Sequence, residues 1–280
     1  MSIRSTFRPR LIAGAVLLAS TFAASAAHAA CSPLVPASDL IKAGTLVMST
    51  NPTLPPLQYT DSNGQVVGMR IDLGKAIAKR LCLTPEYVSV DFDSMVPGLA
   101  ASRWDVINTG IFVTPAREKI MNMIPYENQS ISVSTPKGNP LNIKKIDDLA
   151  GKTVGVEQGG FEQDQANAMI KDMTARGLTP FTLRTFDTFG VAYQALSARQ
   201  LDAVISIDAV AGQYQKKGTF AHVISGVNPT PVALATKNAA LADAIVKVLN
   251  EMKADGSYQK IFASYGVPVF PGKISIAKPQ

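Results

Sequence analysis

The stretch NTGIFVTPAR, residues 108–117, ends in an arginine whose setting invites chemistry. The residues leading into it, WDVINTG, carry Trp104, Val106 and Ile107 in an apolar, β-branched run that predicts a strand. Thr114-Pro115 then predicts a helix start. Proline lacks only an N–H that would go unpaired there, and the threonine hydroxyl suits the cap. Arg117 therefore falls in a first helical turn, where the backbone dipole favours anions over cations. Either it points into water, or it and the helix start face one shared anion.

Other candidates are few. Asp208 follows the apolar run LDAVISI, where an aspartate either caps a helix or waits, buried, for a cationic partner. Glu157 and Glu162 flank the pair Gly159-Gly160 in VGVEQGGFE; either would serve as a general acid in a cleft, and local spacing favours neither. The glycine pair after a strand is a weak phosphate signal. His222 is the only histidine beyond residue 30, which speaks against a metal cluster and a histidine-based triad. No nucleophile elbow, P-loop or dinucleotide fingerprint is present, so neither a cofactor nor a catalytic residue is implied.

The elements that must hold these residues alternate. TLVMST (45–50) reads as a strand, DSNGQ (61–65) as a hairpin turn, and IDLGKAIAKRL (71–81) as a helix with Leu73, Ile77 and Leu81 on one face. Glu86 to Val90 is a strand and DSMVPGLAASR a short helix; Trp104 sits in the next strand, as core. After the break STPKGNPLN (134–142) the rhythm restarts with KTVGVE, a helix from Phe161, FTLRTF, FGVAYQALSAR, LDAVISI and AVAGQYQKKG. A second break, SGVNPTP (225–231), precedes a strand VALAT and a long helix stopping at Gly256. Such alternation predicts an α/β fold with a largely parallel sheet. In open sheets of this class ligands bind beyond the carboxyl ends of strands, where Gly110, Gly159-Gly160 and Asp208 all fall.

Composition bounds the rest. Arg4, Arg8 and Arg10, an apolar small-residue run and the small-x-small site AHA (27–29) predict an export signal over residues 1–30. Without those three arginines, which no acid accompanies, the formal charge falls from +6 to +3. No basic run interleaved with aromatics survives, which argues against nucleic acid as a partner. In an oxidising compartment Cys31 and Cys82 suggest a disulfide, worth about 4 kcal/mol in a chain-entropy account. The competing reading makes Cys31 the acylated first residue of a lipoprotein, although His28 stands where a lipobox favours leucine.

Four stretches in order carry a resemblance: STNPTLPPLQYTDSNGQVVGMRIDLGKAIAKRL, FDSMVPGLAASRWDVINTGIFVTPAREKI, DDLAGKTVGVEQGG and KADGSYQKIFASYG. From about residue 44 to 267 the chain resembles the extracellular solute-binding proteins of family 3, the polar amino-acid class that feeds ABC importers. The resemblance implies a two-lobed periplasmic binding-protein fold, type II-like, with the ligand cleft between lobes joined by two hinge crossings. Mapped here, the crossings fall near 128–130 and 226–231. Lobe one covers 33–127 plus 232–270, lobe two 131–225, and 271–280 is a weakly specified tail. The implied partners are a small amphoteric ligand and a membrane permease, for a monomer in the periplasm. Some relatives are cyclohexadienyl-dehydratase-like enzymes, which keeps that activity as the alternative.

The resemblance also implies roles for residues. Arg117 matches the arginine that grips the ligand carboxylate, and Asp208 the aspartate that takes its ammonium group, although one extra residue separates Asp202 from Asp208. Gly110 and Phe112 lie on the ligand loop, and Phe112 replaces a common hydroxyl residue. Leu54 stands where an aromatic is frequent, Asn51 where aspartate is, and Gly160 and Phe161 where threonines are. With Met95, which is as much a core candidate, Leu54, Phe112 and Phe161 suggest an apolar pocket. The expectation is a ligand less basic than lysine, arginine or histidine.

Overall fold

The computed structural model describes residues 1–2 and 31–277. The expected export signal thus lies outside the described residues, apart from its first two, and so do residues 278–280 of the tail. The fold below is that of the compact unit that begins at Ser32. Cys31 and Cys82 are both disulfide-bonded.

Eleven strands and eight α-helices are found among the described residues. The first part of the chain supplies β1 (Thr45–Thr50), β2 (Thr53–Leu54), β3 (Gln58–Thr60), β4 (Val66–Val67), α1 (Met69–Arg80), β5 (Thr84–Ser89), α2 (Met95–Ala100), β6 (Val106–Phe112) and α3 (Pro115–Glu118). After β7 (Asn122–Pro136) come β8 (Thr153–Glu157), α4 (Phe161–Ala175), β9 (Thr182–Phe186), α5 (Phe189–Ser197), β10 (Ala203–Ile207) and α6 (Asp208–Lys216). The chain then returns through β11 (Phe220–Thr236) and ends in α7 (Ala239–Ala254) and α8 (Ser257–Tyr265).

One mixed sheet runs through the molecule in the order β5-β1-β6-β11-β7-β10-β8-β9, and β2-β3-β4 form a small antiparallel sheet. The strands β5-β1-β6 are parallel, as are β10-β8-β9; β11 and β7 run antiparallel to each other and to their outer neighbours. β1, β6 and β10 are buried along their whole length, as strands covered on both faces must be, whereas the edge strands β5 and β9 are part-exposed. Helices α1, α7 and α8 pack together over the first group and α4 and α5 over the second. This is a mixed α/β fold, its two parallel groups joined by two long strands.

The second break is not a break in the strand. β11 runs unbroken from Phe220 to Thr236, and the Pro/Gly-rich SGVNPTP appears as successive register shifts against β7 between His222 and Thr230. Prolines and glycines weaken a ladder without ending it when the partner strand continues. Trp104 is core, as expected, but it precedes β6 and packs its ring against Gly98, where a Cβ would come within 2.0 Å. The tail is better tied than its sequence suggests. Ile274 is fully buried and exchanges two hydrogen bonds with the Asn250 side chain, and Ala277 N–H donates to the Met123 carbonyl.

Candidate ligand-binding site

The carboxyl ends of the two parallel groups meet over a small cavity. Leu54, Arg70, Phe92, Thr109, Gly110 and Phe112 wall it from one side, and Glu157, Glu162, Phe189 and Ile207 from the other. Its volume is about 10 Å³, room for about one water molecule. Contacts across it are direct. Asn51, beyond the end of β1, donates its side-chain amide to Glu157 at 2.9 Å. Phe112 stacks on Phe161 with ring centroids 4.6 Å apart. Gln158 reaches Asp93 at 3.4 Å.

Arg117 lies at the rim. Thr114 caps α3 by accepting from the Arg117 N–H at 3.3 Å, and Pro115 opens the helix, as the sequence predicts. The side chain folds back: Nη1 donates to the Phe112 carbonyl at 3.0 Å, and the guanidinium sits 5.5 Å from the Phe92 ring centroid. Both phenylalanines wall the cavity. Burial lowers the Arg117 pKa, partly offset by Glu162 and Asp164, so those acids are its nearest compensation.

Arg70 is the feature the sequence did not disclose. It is 1% exposed, its Nε pairs with Glu127 at 3.0 Å, and its Nη1 donates to Gln58 Oε1 at 3.2 Å and to the Thr109 carbonyl. Burial works to lower its pKa; Glu127 above all overrides this and leaves it raised. Glu127 also accepts from Gln129, whose Oε1 accepts from the Ala209 N–H at 3.4 Å. A buried polar chain thus runs from the cavity wall to the start of α6. The one sequence signal for Arg70 is a cation between Met69 and Ile71, both fully buried at the start of α1.

The acids opposite are Glu157 and Glu162. Burial, and then Glu162, hold the Glu157 carboxyl well above the usual carboxylate range; the Phe189 N–H and Asn51 pull the other way. Burial likewise raises Glu162, against its own backbone N–H, Arg117 and Arg70. Gly160 is the N-cap of α4, and a Cβ there would come within 2.6 Å of Glu162 Oε2, which would have to move.

The sequence-derived candidates divide. Gly110, Phe112 and Leu54 wall the cavity, Asn51 and Phe161 touch its walls, and Arg117 stands at its rim. Met95 does not reach it; it is fully buried in a cluster with Leu99, Trp104, Ile107 and Met123. Asp208 faces elsewhere. Its carboxylate accepts from the Gly226 N–H at 3.3 and 3.2 Å, lies 3.6 Å from His222 Nε2, and borders a separate 460 Å³ cavity with Gln129, Lys216 and Tyr265. Ile207, one residue earlier, is the end of β10 that walls the first cavity, in keeping with the extra residue counted after Asp202. His222 therefore has one acidic neighbour. Among the described residues no group of three or more metal-ligating side chains occurs.

The chain and its fold have known counterparts. Residues 46–268 match the family of bacterial extracellular solute-binding proteins, family 3. The lysine/arginine/ornithine-binding periplasmic protein of Escherichia coli is 30% identical over 79% of this chain and 87% of its own length. An ancestral arginine-binding protein, solved with arginine bound, shares 35% identity and superposes with a TM-score of 0.73 over 79% of this chain and 98% of that one. An ancestral amino acid-binding protein described as a precursor of cyclohexadienyl dehydratase shares 28% identity, with a TM-score of 0.72 over 79% of this chain and 95% of that one. With a match spanning both parallel groups and the strands that join them, the chain belongs to the bacterial extracellular solute-binding proteins of family 3.

Proposed function

We propose that the chain is the periplasmic binding component of an ABC importer and closes two lobes on an amino acid or amino-acid-like solute. The observation that carries this is one cavity walled from both parallel groups, with Arg70 on one side and Glu157 and Glu162 on the other. Amino acid-binding relatives support the solute class. The lobes are residues 33–127 plus 232–270 and 131–225, hinged where β7 and β11 cross. Register shifts in β11 fall at that crossing, where a ladder opposes bending least. The present cavity is smaller than any amino acid, so admission requires the lobes to part, and ligand contacts to both lobes then favour the closed form that a permease recognises. The protein acts as a monomer.

Within the site Arg117 takes the ligand carboxylate by exchanging the Phe112 carbonyl for a charged acceptor. Glu162, which faces Arg117 and Arg70 in one buried space, takes the ammonium group in place of Asp208, whose carboxylate is committed to Gly226. Leu54, Phe92, Phe112 and Phe189 give the side-chain compartment an apolar wall, which supports a ligand less basic than lysine or arginine. The test is calorimetric titration of the mature protein with the protein amino acids, repeated on Arg117→Ala. Loss of a charge-assisted contact with a buried anion weakens the bound amino acid by about 2–5 kcal/mol; unchanged affinity removes Arg117 from the site.

One observation favours a second reading. A carboxyl whose pKa burial raises well above the usual carboxylate range, as at Glu157, is what a general acid requires. Under this alternative the protein dehydrates a cyclohexadienyl acid, and ultraviolet absorbance of an aromatic product on incubation with such an acid decides for it.

A further inference from the structure

Arg70 carries a polar atom that the protein leaves unsatisfied. Its Nε and Nη1 have the acceptors described above, but the buried Nη2 has none. A guanidinium N–H out of water without an acceptor is unfavourable, so its persistence in a cavity wall asks for a partner. The fold holds it there with care. Gly110, at φ +80°, lets the guanidinium lie against the backbone, where a Cβ would come within 2.0 Å of Cζ. Glu127 and Gln58 fix the group on one edge. The Tyr126 hydroxyl, fully buried, lies against the guanidinium and interacts with it.

The other charges around the cavity are committed. Glu157 accepts from Asn51 and from the Phe189 N–H. Glu162 is the ammonium acceptor in the reading above, on which this inference rests. Arg70 and Arg117 bind the carbonyls of Thr109 and Phe112, three residues apart on β6, or about 10 Å of strand. Two guanidinia held by one strand offer a place each for two acidic groups of one small molecule. The planar fork of arginine matches such groups better than a point charge does.

We propose that Arg70 Nη2 is a second anion-binding donor of the ligand site and selects an amino-acid-like solute with an acidic group on its side chain. Arg70 is then a specificity-determining residue, and Arg117 keeps the carboxylate common to all amino acids.

The experiment is calorimetric titration with L-glutamate, L-glutamine and L-arginine as probes, on the mature protein and on Arg70→Lys. Lysine keeps the charge facing Glu127 but has no second terminal nitrogen. The expected result is at least tenfold preference of the unmodified protein for L-glutamate over L-glutamine. Arg70→Lys abolishes that preference, weakening L-glutamate binding by more than it weakens L-glutamine binding. If the variant does not melt cooperatively, the ¹⁵N-detected guanidinium resonance of Arg70 in the unmodified protein replaces it, and it shifts on adding L-glutamate and not L-glutamine. Equal affinity for the acid and its amide, or an Arg70 resonance indifferent to both, overturns the proposal. Binding of L-arginine alone overturns it while leaving the amino-acid reading standing. Failure of every protein amino acid overturns both.

Discussion

The Asn51 amide donates to the Glu157 carboxyl at 2.9 Å, joining the end of β1 to the end of β8 across the cavity. Both side chains are buried, so the bond is strong when made and leaves a polar orphan when broken. Asn51→Ala lowers stability by about 1–3 kcal/mol in chemical denaturation. A loss below about 0.5 kcal/mol shows that the two groups are not held together in solution.

Glu157 also sets a pH dependence. Its folded-state pKa lies well above the ordinary 4.5, through burial first and Glu162 second. Between those two values the folded protein holds a proton that the unfolded chain has released. Stability is therefore fully present below the unfolded pKa and is lost as pH rises toward the folded one. Glu157→Gln, neutral at every pH, raises the melting temperature at pH 7–8, and the gain disappears near pH 4. Thermal melts of both proteins across that range check it; a gain larger at pH 4 than at pH 8 reverses the assignment.

Gly110 is the second sensitive point. Gly110→Ala combines a left-handed backbone with a Cβ inside the Arg70 guanidinium. The strained backbone alone costs about 1–3 kcal/mol, and the clash adds to it. The variant melts well below the parent and loses amino-acid binding. Normal melting and binding would mean that Arg70 has another place to go.

Glu127 supports Arg70 from behind. With 1% and 0% side-chain exposure this is a buried ion pair, and removing one partner of such a pair costs about 3–5 kcal/mol. Glu127→Gln is expected near the lower end because the amide still accepts a hydrogen bond, and Glu127→Ala near the upper. Urea denaturation of the two variants gives the order.

The Phe112–Phe161 stack reports on closure. A double-mutant cycle to leucine yields a coupling of about 0.5–1.5 kcal/mol when the rings touch. Coupling that is present with ligand and absent without it ties the stack to lobe movement; coupling near zero in both conditions removes it from the closed state.

Much of this architecture is legible in the chain because its signals are local. The apolar face Leu73–Ile77–Leu81, the turn at 61–65 and the Thr114-Pro115 helix start each depend on a few neighbouring residues, and each occurs where expected. The continuous β11 is not legible, because a strand that crosses between lobes owes its persistence to β7, nearly a hundred residues earlier. In the site, Phe112, Gly110 and Leu54 lie at strand ends and stand out. Arg70 does not: it belongs to a buried network of Gln58, Thr109, Glu127 and Gln129, whose members are scattered over seventy residues. Asp208 shows the reverse failure. A one-residue offset at the end of β10 turns Ile207 toward the cavity and the carboxylate toward Gly226, and alternation along a strand makes such an offset decisive.

The position of β11 bears on how the protein is made. β6 finds its neighbour on that side only at residues 232–235. A chain emerging from the ribosome amino-end first therefore carries an open, apolar sheet border for more than a hundred residues of elongation. Bare borders of that sort recruit other strands. Truncation anywhere ahead of residue 232 leaves the border permanently uncovered, so nonsense products of this gene aggregate instead of folding as half-sized lobes.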